Sequence, residues 1–326
     1  MPDMTTPADR PVLRLDFVNG GGAKNDNFFY NLLAPHYRIQ LEDKPDFVFY
    51  NHAGHKHRLL NAVRIFWTQE AYPADFSECD YALTTHHPKQ EREYRLPFYA
   101  QVMGPGDLVR PAKVDYEKIA AEKTDFCAFM ASYANRNTNA RVDFFHRLSQ
   151  YKRVDSGGRL FNNIGGPVPE GLVGKRQWLR KYKFNLAFEN RAVSGYVTEK
   201  LPDGLLAHTV PIYWGAPDVV KDFNPASFIN GNDFSSWDEL AKYVAKVDGD
   251  PKLYLQYLSA PPYHGNTPNE AMDPGKLLAF FHRIFTTSIE PVAARKWHWR
   301  WNRWVPVKRD KFEKIRFLDP AIPPSA

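Results

Sequence analysis

The sequence lacks the features of a secreted, membrane-spanning or zinc-binding protein. It has only two cysteines, Cys79 and Cys127, and they form no metal-ligand spacing. Because a low cysteine content is typical of proteins in a reducing compartment, we expect a cytoplasmic location. No window approaches the roughly 18 apolar residues of a membrane span, and the N-terminal stretch has no apolar core. We therefore expect neither a membrane span nor a secretory signal.

Two nucleotide-binding fingerprints are also missing. The chain contains no G-x-G-x-x-G and no G-x-x-x-x-G-K-[ST] pattern, and it shows no internal repeat. The usual dinucleotide and P-loop sites are therefore excluded, as are solenoid folds.

Excess positive charge is confined to one segment. The chain has a net charge of +6, yet residues 295–316 alone hold nine Lys or Arg and two acidic residues. The rest of the chain is close to neutral, so its high pI carries no information about a substrate of the body.

Apolar runs of strand type alternate with runs of helical spacing along most of the chain. The strand-like runs are 12–18, 46–51, 63–68, 80–85, 125–132, 184–190 and 210–215. The helical runs are 27–37, 57–63, 139–151, 199–208, 235–247 and 275–285. This alternation predicts an α/β fold with parallel sheets covered by helices on both faces.

A Gly/Pro-rich stretch at 103–116 interrupts the pattern and predicts a linker. We accordingly predict an N-terminal domain at 1–112, a C-terminal domain at 113–288 and a tail at 289–326.

The stretch FNLAFENRAVSGYVTEK (184–200) concentrates hydrogen-bonding groups directly after a buried-looking strand. In parallel α/β sheets, ligands bind beyond the carboxyl ends of the strands. Lys200 would add a positive charge where a helix begins, and Pro202 is tolerated only in a first turn. The stretch therefore suits a phosphorylated ligand, with Glu199 as an acceptor for hydroxyl groups.

A longer block, KYKFNLAFENRAVSGYVTEKLPDGLLAHTVPIYWGAPDVVKDFNPASFI, resembles the signature region of the α-1,3-fucosyltransferases. The likeness is to the bacterial α-1,3/1,4-fucosyltransferases of glycosyltransferase family ten, and weaker similarity extends over most of residues 12–285. The resemblance implies a GT-B fold, which is two Rossmann-like domains with a cleft between them. It also implies an acceptor-binding first domain, a second domain that binds GDP-L-fucose, and an inverting reaction without a catalytic metal.

The resemblance assigns a role to one residue of the first domain. Glu70, in the motif WTQE, would be the general base that deprotonates the acceptor hydroxyl. The acceptor would be an oligosaccharide such as N-acetyllactosamine or lactose. Fucose would pass to O3 of N-acetylglucosamine or glucose and give products of the Lewis antigen type.

Five residues of the second domain would bind the donor. Arg141 and Lys200 would neutralise the diphosphate of the leaving GDP, by a bidentate contact and a point charge respectively. Glu199 would bind donor hydroxyl groups, and Asn190 and Tyr196 would complete the pocket.

Other interpretations of these residues stay open. Glu70 could be a solvated loop carboxylate, Arg141 could pair with Asp143 or Glu189, and Glu199 and Lys200 could be ordinary first-turn charges. The protein could also be a non-catalytic glycan- or nucleic-acid-binding module, or a GT-B transferase for another nucleotide sugar.

The histidines of HAGHKH, at 52, 55 and 57, are closely spaced but have no accompanying cysteine or carboxylate cluster. We expect no metal site there.

The segment KWHWRWNRW (296–304) has two interpretations. Its tryptophans could pack on the body, or tryptophan and basic residues together could contact an anionic membrane, making the protein peripheral to the inner membrane face. We expect partial packing of the tryptophans and solvated basic residues beyond Pro306. A nucleic-acid partner is not expected, because nothing else in the chain supports it.

Overall fold

The protein consists of two compact units, each built on one parallel sheet. The computed structural model describes residues 10–20, 22–132, 134, 139–168, 171–294, 297–300, 303–306 and 315–320. Unit 1 comprises Met1–Leu96 and Asp273–Ala326, and unit 2 comprises Pro97–Met272. The α/β class predicted from the sequence is confirmed in both units.

Unit 1 has a six-stranded sheet in the order β2-β1-β3-β4-β5-β6, with every pairing parallel. Its strands are β1 (Val12–Val18), β2 (Arg38–Leu41), β3 (Phe47–Tyr50), β4 (Val63–Trp67), β5 (Tyr81–Thr84) and β6 (Glu93–Arg95). All residues of β3 and β5 are buried. Such continuous apolar strands are typical of a parallel sheet that is covered on both faces.

Aromatic side chains from distant parts of the sequence form the core of unit 1. Helix α1 (Phe28–Leu33) contributes Phe29, whose ring centroid lies 5.1 Å from that of Phe49 in β3. Helix α9 (Pro274–Thr286) contributes Phe281, at 6.0 Å from Phe29 and 5.6 Å from Phe49. The late helix therefore belongs to the hydrophobic core of the first sheet.

The C-terminal tail contains a two-stranded antiparallel hairpin. It consists of β12 (Trp297–Arg300) and β13 (Arg303–Pro306), and its register pairs Trp299 with Trp304. Trp301 and the basic residues at 308, 309, 311 and 314 lie outside the described residues.

The prediction of solvated basic residues beyond Pro306 is confirmed for Arg316, which is exposed, but the chain around it packs in unit 1. Ile315 is buried, and the Arg316 N–H donates to Asp46 Oδ1 at 3.2 Å. The Leu318 N–H donates to Phe285 O at 2.7 Å. This part of the tail lies against the core of unit 1 because Ile315 and the apolar residues near it can be buried there.

Unit 2 has a five-stranded parallel sheet in the order β11-β10-β9-β7-β8. Its strands are β7 (Asp125–Phe129), β8 (Val154–Ser156), β9 (Tyr182–Phe188), β10 (Val210–Trp214) and β11 (Ile229–Asn230). Its helices are α2 (Tyr99–Val102), α3 (Tyr116–Ala121), α4 (Asn139–Ser149), α5 (Leu172–Leu179), α6 (Lys200–Leu206), α7 (Trp237–Gly249) and α8 (Pro251–Ser259). Strand β9 is central, so its carboxyl end lies in the middle of this sheet's edge.

The limits of the units differ in two places from the domain boundaries predicted at 112 and 288. The Gly/Pro-rich stretch at 103–116 is not a free linker, because Leu108 is fully buried and Arg110 donates to Leu205 O at 2.8 Å. Helix α9 packs with unit 1 rather than with the preceding residues. Periodicity alone identifies a helix but not the sheet that the helix covers.

Among the described residues, no helix has the length and apolar character needed to cross a membrane. Both cysteines are buried free thiols.

Candidate functional site

The carboxyl end of β9 carries a buried carboxylate that organises the segment following it. Glu189 has no solvent exposure, and its Oε1 accepts hydrogen bonds from the Thr198 N–H at 2.7 Å and Thr198 Oγ1 at 3.0 Å. Its Oε2 accepts from Lys200 Nζ at 3.0 Å. Glu189 thus joins the end of the strand to the start of α6 and fixes the loop between them.

Two glycines allow this close approach. A Cβ on Gly215, which follows β10, would lie 2.5 Å from Glu189 Cγ. A Cβ on Gly204 in α6 would lie 2.2 Å from Asn185 Oδ1 in β9. Larger residues at either position would displace Glu189 or the helix that carries Lys200.

Lys200 is held as a cation in this site. Burial alone would lower the pKa of Lys200, but the carboxylates of Glu189 and Glu199 outweigh that effect and raise it. Burial raises the pKa of Glu189, and the neighbouring ammonium opposes that rise. An ammonium has three N–H donors, and Lys200 uses two of them on Glu189 and Thr198. The Lys200 side chain is 19% exposed, so its ammonium is accessible to an anionic ligand.

Arg141 reaches the same strand end from α4. It is 4% exposed, and its Nη1 donates to Asn190 Oδ1 at 2.9 Å. Asn190, directly after β9, is therefore one partner of the Arg141 guanidinium. Tyr196 is buried in the loop, where its N–H donates to Val193 O at 3.0 Å.

The five donor-site residues predicted in unit 2 therefore all lie on the β9–α6 segment or contact it.

Glu199 lies at the start of α6, between Lys200 and a cation that the sequence analysis missed. Lys175 Nζ, from α5, is 3.5 Å from Glu199 Oε1. Burial alone would raise the pKa of Glu199, but Lys200 and Lys175 outweigh it and lower the pKa to about 2. Glu199 is thus a carboxylate at all physiological pH values. Nothing in the sequence distinguishes Lys175 from an ordinary solvated lysine of a short amphipathic helix.

The predicted base, Glu70, lies in unit 1, on the turn that follows β4. Its side chain is exposed, whereas its backbone is fixed. The Glu70 N–H donates to Thr68 Oγ1 at 3.1 Å, and Glu70 O accepts from the Tyr72 N–H at 2.8 Å. A carboxylate on a fixed turn at the carboxyl edge of a parallel sheet has the accessibility that a general base requires.

Two aromatic rings lie on the same edge of unit 1. The rings of His52, after β3, and Tyr72, after β4, have centroids 4.5 Å apart. Tyr72 is 41% exposed, so part of its ring can contact another molecule. Aromatic surfaces of this kind bind the apolar faces of sugars.

His57, the last histidine of HAGHKH, contacts other side chains of unit 1. His57 is buried, its Nδ1 lies 3.1 Å from Asn19 Nδ2, and its Nε2 lies 3.4 Å from Glu78 Oε2. Within the described part of the chain, no group of three or more His, Cys, Asp or Glu residues is placed to hold a metal ion.

Models of known protein families match residues in both units. A model described as glycosyltransferase family 10 (fucosyltransferase) C-term matches residues 120–262, and an alpha-(1,3)-fucosyltransferase FucT N-terminal domain model matches residues 13–102. The alpha-(1,3)-fucosyltransferase FucT of Helicobacter pylori is 32% identical over 84% of this chain. The chain spans 66% of the length of that relative, just under two thirds.

Solved structures give the same result. A crystal structure of an α1,3-fucosyltransferase superimposes with a TM-score of 0.72 at 30% identity, covering 87% of this chain and 93% of the other. A crystal structure described as α1,3-fucosyltransferase with GDP-fucose gives a TM-score of 0.71 at 29% identity, with the same two coverages. The predicted GT-B fold class is confirmed by this similarity.

Proposed function

Because the chain belongs to glycosyltransferase family 10, the fucosyltransferases, we propose that it transfers L-fucose from GDP-L-fucose to an oligosaccharide with inversion at the anomeric carbon. The observation that carries the proposal is the convergence of Arg141, Lys200 and Glu199 at the carboxyl end of β9. Lys200 also lies beside Glu189, but Glu189 is buried, so the site offers two cations and the Glu199 carboxylate to a ligand with both a diphosphate and hydroxyl groups.

The donor half of the site follows from these side chains. Arg141 and Lys200 bind the diphosphate of GDP-fucose and stabilise the charge that develops on it as the sugar leaves. Glu199 accepts hydrogen bonds from hydroxyl groups of the donor, on fucose or on ribose. Asn190 orients the Arg141 guanidinium, and Tyr196 completes the pocket.

The reaction exchanges one C–O bond for another. The acceptor hydroxyl oxygen attacks the anomeric carbon of fucose, and the bond from that carbon to the β-phosphate oxygen of GDP breaks. Glu70 takes the hydroxyl proton, and GDP leaves with the bonding electron pair. No redox partner is required, and the two cations take the place of a metal at the diphosphate. We accordingly propose that the reaction needs no metal.

The acceptor is proposed to bind at the carboxyl edge of unit 1, where Glu70 and the His52–Tyr72 ring pair lie. The proposed position of transfer is O3 of N-acetylglucosamine or glucose, as in N-acetyllactosamine or lactose. A ring pair beside a carboxylate can stack one sugar while the carboxylate receives the proton of a neighbouring hydroxyl.

Contact with an anionic membrane is proposed for the tail. The hairpin of β12 and β13 carries tryptophans at 297, 299 and 304 in a segment rich in arginine and lysine. Each basic residue near an anionic surface can contribute about 1 kcal/mol. This contact would place a cytoplasmic enzyme on the inner membrane face.

Product analysis tests the proposed activity. The protein is incubated with lactose, N-acetyllactosamine and type 1 chains, each with GDP-fucose, GDP-mannose or UDP-galactose, and the products are examined by mass spectrometry. We expect a gain of one deoxyhexose with GDP-fucose alone. Transfer from another nucleotide sugar would identify a different GT-B transferase. Acceptor binding without transfer from any donor would identify a non-catalytic glycan-binding module.

A further inference from the structure

Helix α5 directs two cations at one buried carboxylate on α6. Asp203 has no side-chain exposure, and its Oδ2 lies 2.8 Å from Lys175 Nζ while its Oδ1 lies 2.7 Å from Arg176 Nε. Because a buried carboxylate is costly unless it is paired, these contacts fix α5 against α6. The pairing is thus a rigid connection between the two helices.

Lys175 differs from Arg176 in one further contact. Its Nζ also lies 3.5 Å from Glu199 Oε1, so this ammonium bridges two carboxylates on the same face of α6. Glu199 and Asp203 are four residues apart, which is the spacing of neighbours on a helix surface. Of these two acids, Arg176 contacts Asp203 but not Glu199. Among the described side chains, Lys175 therefore connects the buried ion pair to a residue of the donor site, and Arg176 does not.

Three charged groups surround Glu199. Lys200 follows it on α6, Lys175 faces it from α5, and Glu189 approaches from the end of β9. Lys200 is shared with Glu189, to which its Nζ donates at 3.0 Å. The charge of Lys175 is shared with Asp203, which is itself neutralised by Arg176. Lys175 is consequently the second cation that holds Glu199 in place.

We propose that Lys175 is a positioning residue for donor binding, which holds the Glu199 carboxylate in the orientation that accepts hydrogen bonds from the hydroxyl groups of GDP-fucose. This inference rests on the proposed function and adds to it a residue outside the signature segment. Asp203, which is itself paired with Arg176, fixes the side chain of Lys175. A carboxylate offers about four acceptor positions, so contact with Lys175 leaves capacity for ligand hydroxyls.

A pair of variants separates positioning from simple structural support. Lys175→Met and Arg176→Met each remove one cation from Asp203, so both should lower the melting temperature. Only Lys175→Met also removes a cation from Glu199. We expect the Kd of GDP-fucose to rise about tenfold in Lys175→Met, the loss typical of one charge-assisted contact, and to change less than about threefold in Arg176→Met.

The pH dependence of donor binding gives a readout that stability does not affect. Loss of a nearby cation raises the pKa of a carboxyl group, so Glu199 in Lys175→Met should titrate closer to the ordinary value of about 4.3. The Kd of GDP-fucose should then rise more between about pH 7 and about pH 4.5 in Lys175→Met than in the parent and in Arg176→Met, because the titration of Glu189, whose pKa is raised by burial, is common to all three proteins. Lys175→Arg, which retains the charge, should restore the parental pH dependence.

The possible results of these measurements each support or overturn the proposed role of Lys175. Equal losses of donor affinity in the two methionine variants, with unchanged pH dependence, would show that the ion pair is structural only. Should Lys175→Met not fold, Lys175→Gln carries the same expectations, because it keeps a donor for Asp203 but no charge for Glu199. A parent that binds GDP-fucose while Lys175→Met binds it equally well overturns this inference alone. A parent that neither binds nor uses GDP-fucose overturns the proposed function as well.

Discussion

Gly204 of α6 lies against Asn185 of β9 with no space for a side chain between them. A Cβ at Gly204 would meet Asn185 Oδ1 at 2.2 Å. Asn185 cannot move aside without loss, because its Oδ1 accepts a hydrogen bond from Thr209 Oγ1 at 2.6 Å. Thr209 Oγ1 also lies 3.0 Å from Gly204 O, which closes the contact. The position of Lys200, one turn earlier on α6, depends on this packing.

We therefore expect Gly204→Ala to destabilise the protein by about 1–3 kcal/mol, the usual cost of overpacking. Chemical denaturation measures the change. Gly249→Ala is a control, because a Cβ there has nothing within 4 Å. Unchanged stability in Gly204→Ala would show that α6 can shift away from β9, and the tight packing would then have no role in placing Lys200.

Much of this architecture is accessible from the sequence. The runs around Phe49, Phe184 and Ile212 are apolar without alternation, and each forms a buried strand of a parallel sheet. The carboxyl end of β9 could be predicted as a site because Glu189, Asn190 and Lys200 follow a buried strand within a few residues. Local pattern suffices for these three residues, since they are close in the sequence, but not for Arg141, which is 49 residues from Asn190.

Features that depend on distant contacts could not be predicted in this way. The side of α9 that carries Phe281 is apolar whichever sheet it covers, so the sequence does not say that it packs with Phe29 and Phe49. Lys175 resembles any helix-surface lysine until Asp203 is known to be buried opposite it.

Loss of either cation that we propose to bind the diphosphate should impair donor use strongly. We expect Lys200→Ala and Arg141→Ala each to remove about 2–4 kcal/mol of combined donor binding and transition-state stabilisation. Calorimetry with GDP and steady-state kinetics with GDP-fucose measure the two parts. Lys252→Ala, at an exposed lysine of the same unit, is the control. If Lys200→Ala binds GDP and turns over like the parent, the donor site lies elsewhere.

Glu70→Gln should separate chemistry from binding. The amide keeps the size of the side chain but cannot accept the acceptor's proton, so kcat should fall by about 10²–10⁴ while GDP affinity stays near normal. Glu91→Gln, at another exposed acid of unit 1, should leave kcat unchanged. A near-parental kcat in Glu70→Gln would remove this residue from the mechanism.

Metal independence is tested by chelation. Because Arg141 and Lys200 supply the positive charge at the proposed diphosphate site, activity should persist after dialysis against EDTA. The rate is compared before dialysis, after it, and after addition of Mn²⁺ or Mg²⁺. Complete loss of activity that either ion restores would contradict the prediction and direct attention to ligands other than these two cations.

Membrane contact by the tail is best tested without shortening the chain, because Ile315 is buried in unit 1 and the Leu318 N–H donates to Phe285 O. Replacing Lys308, Arg309, Lys311 and Lys314 by Gln removes four charges. Co-sedimentation with vesicles containing phosphatidylserine should fall sharply at low salt, since each charge contributes about 1 kcal/mol. Transfer to lactose in solution should remain. If the parent protein does not sediment with these vesicles at low ionic strength, the tail has no such role.

The discontinuous sequence of unit 1 has a consequence for biosynthesis. Unit 2 is one continuous segment, Pro97–Met272, so all of its contacts can form before the ribosome has finished α9. The rings of Phe29 and Phe49, by contrast, cannot contact Phe281 until nearly the whole chain has been synthesised. During that interval the nascent first sheet exposes an aromatic surface to chaperones and to other nascent chains. Yield in heterologous expression should therefore depend on translation speed and chaperone supply more than on the stability of the finished protein.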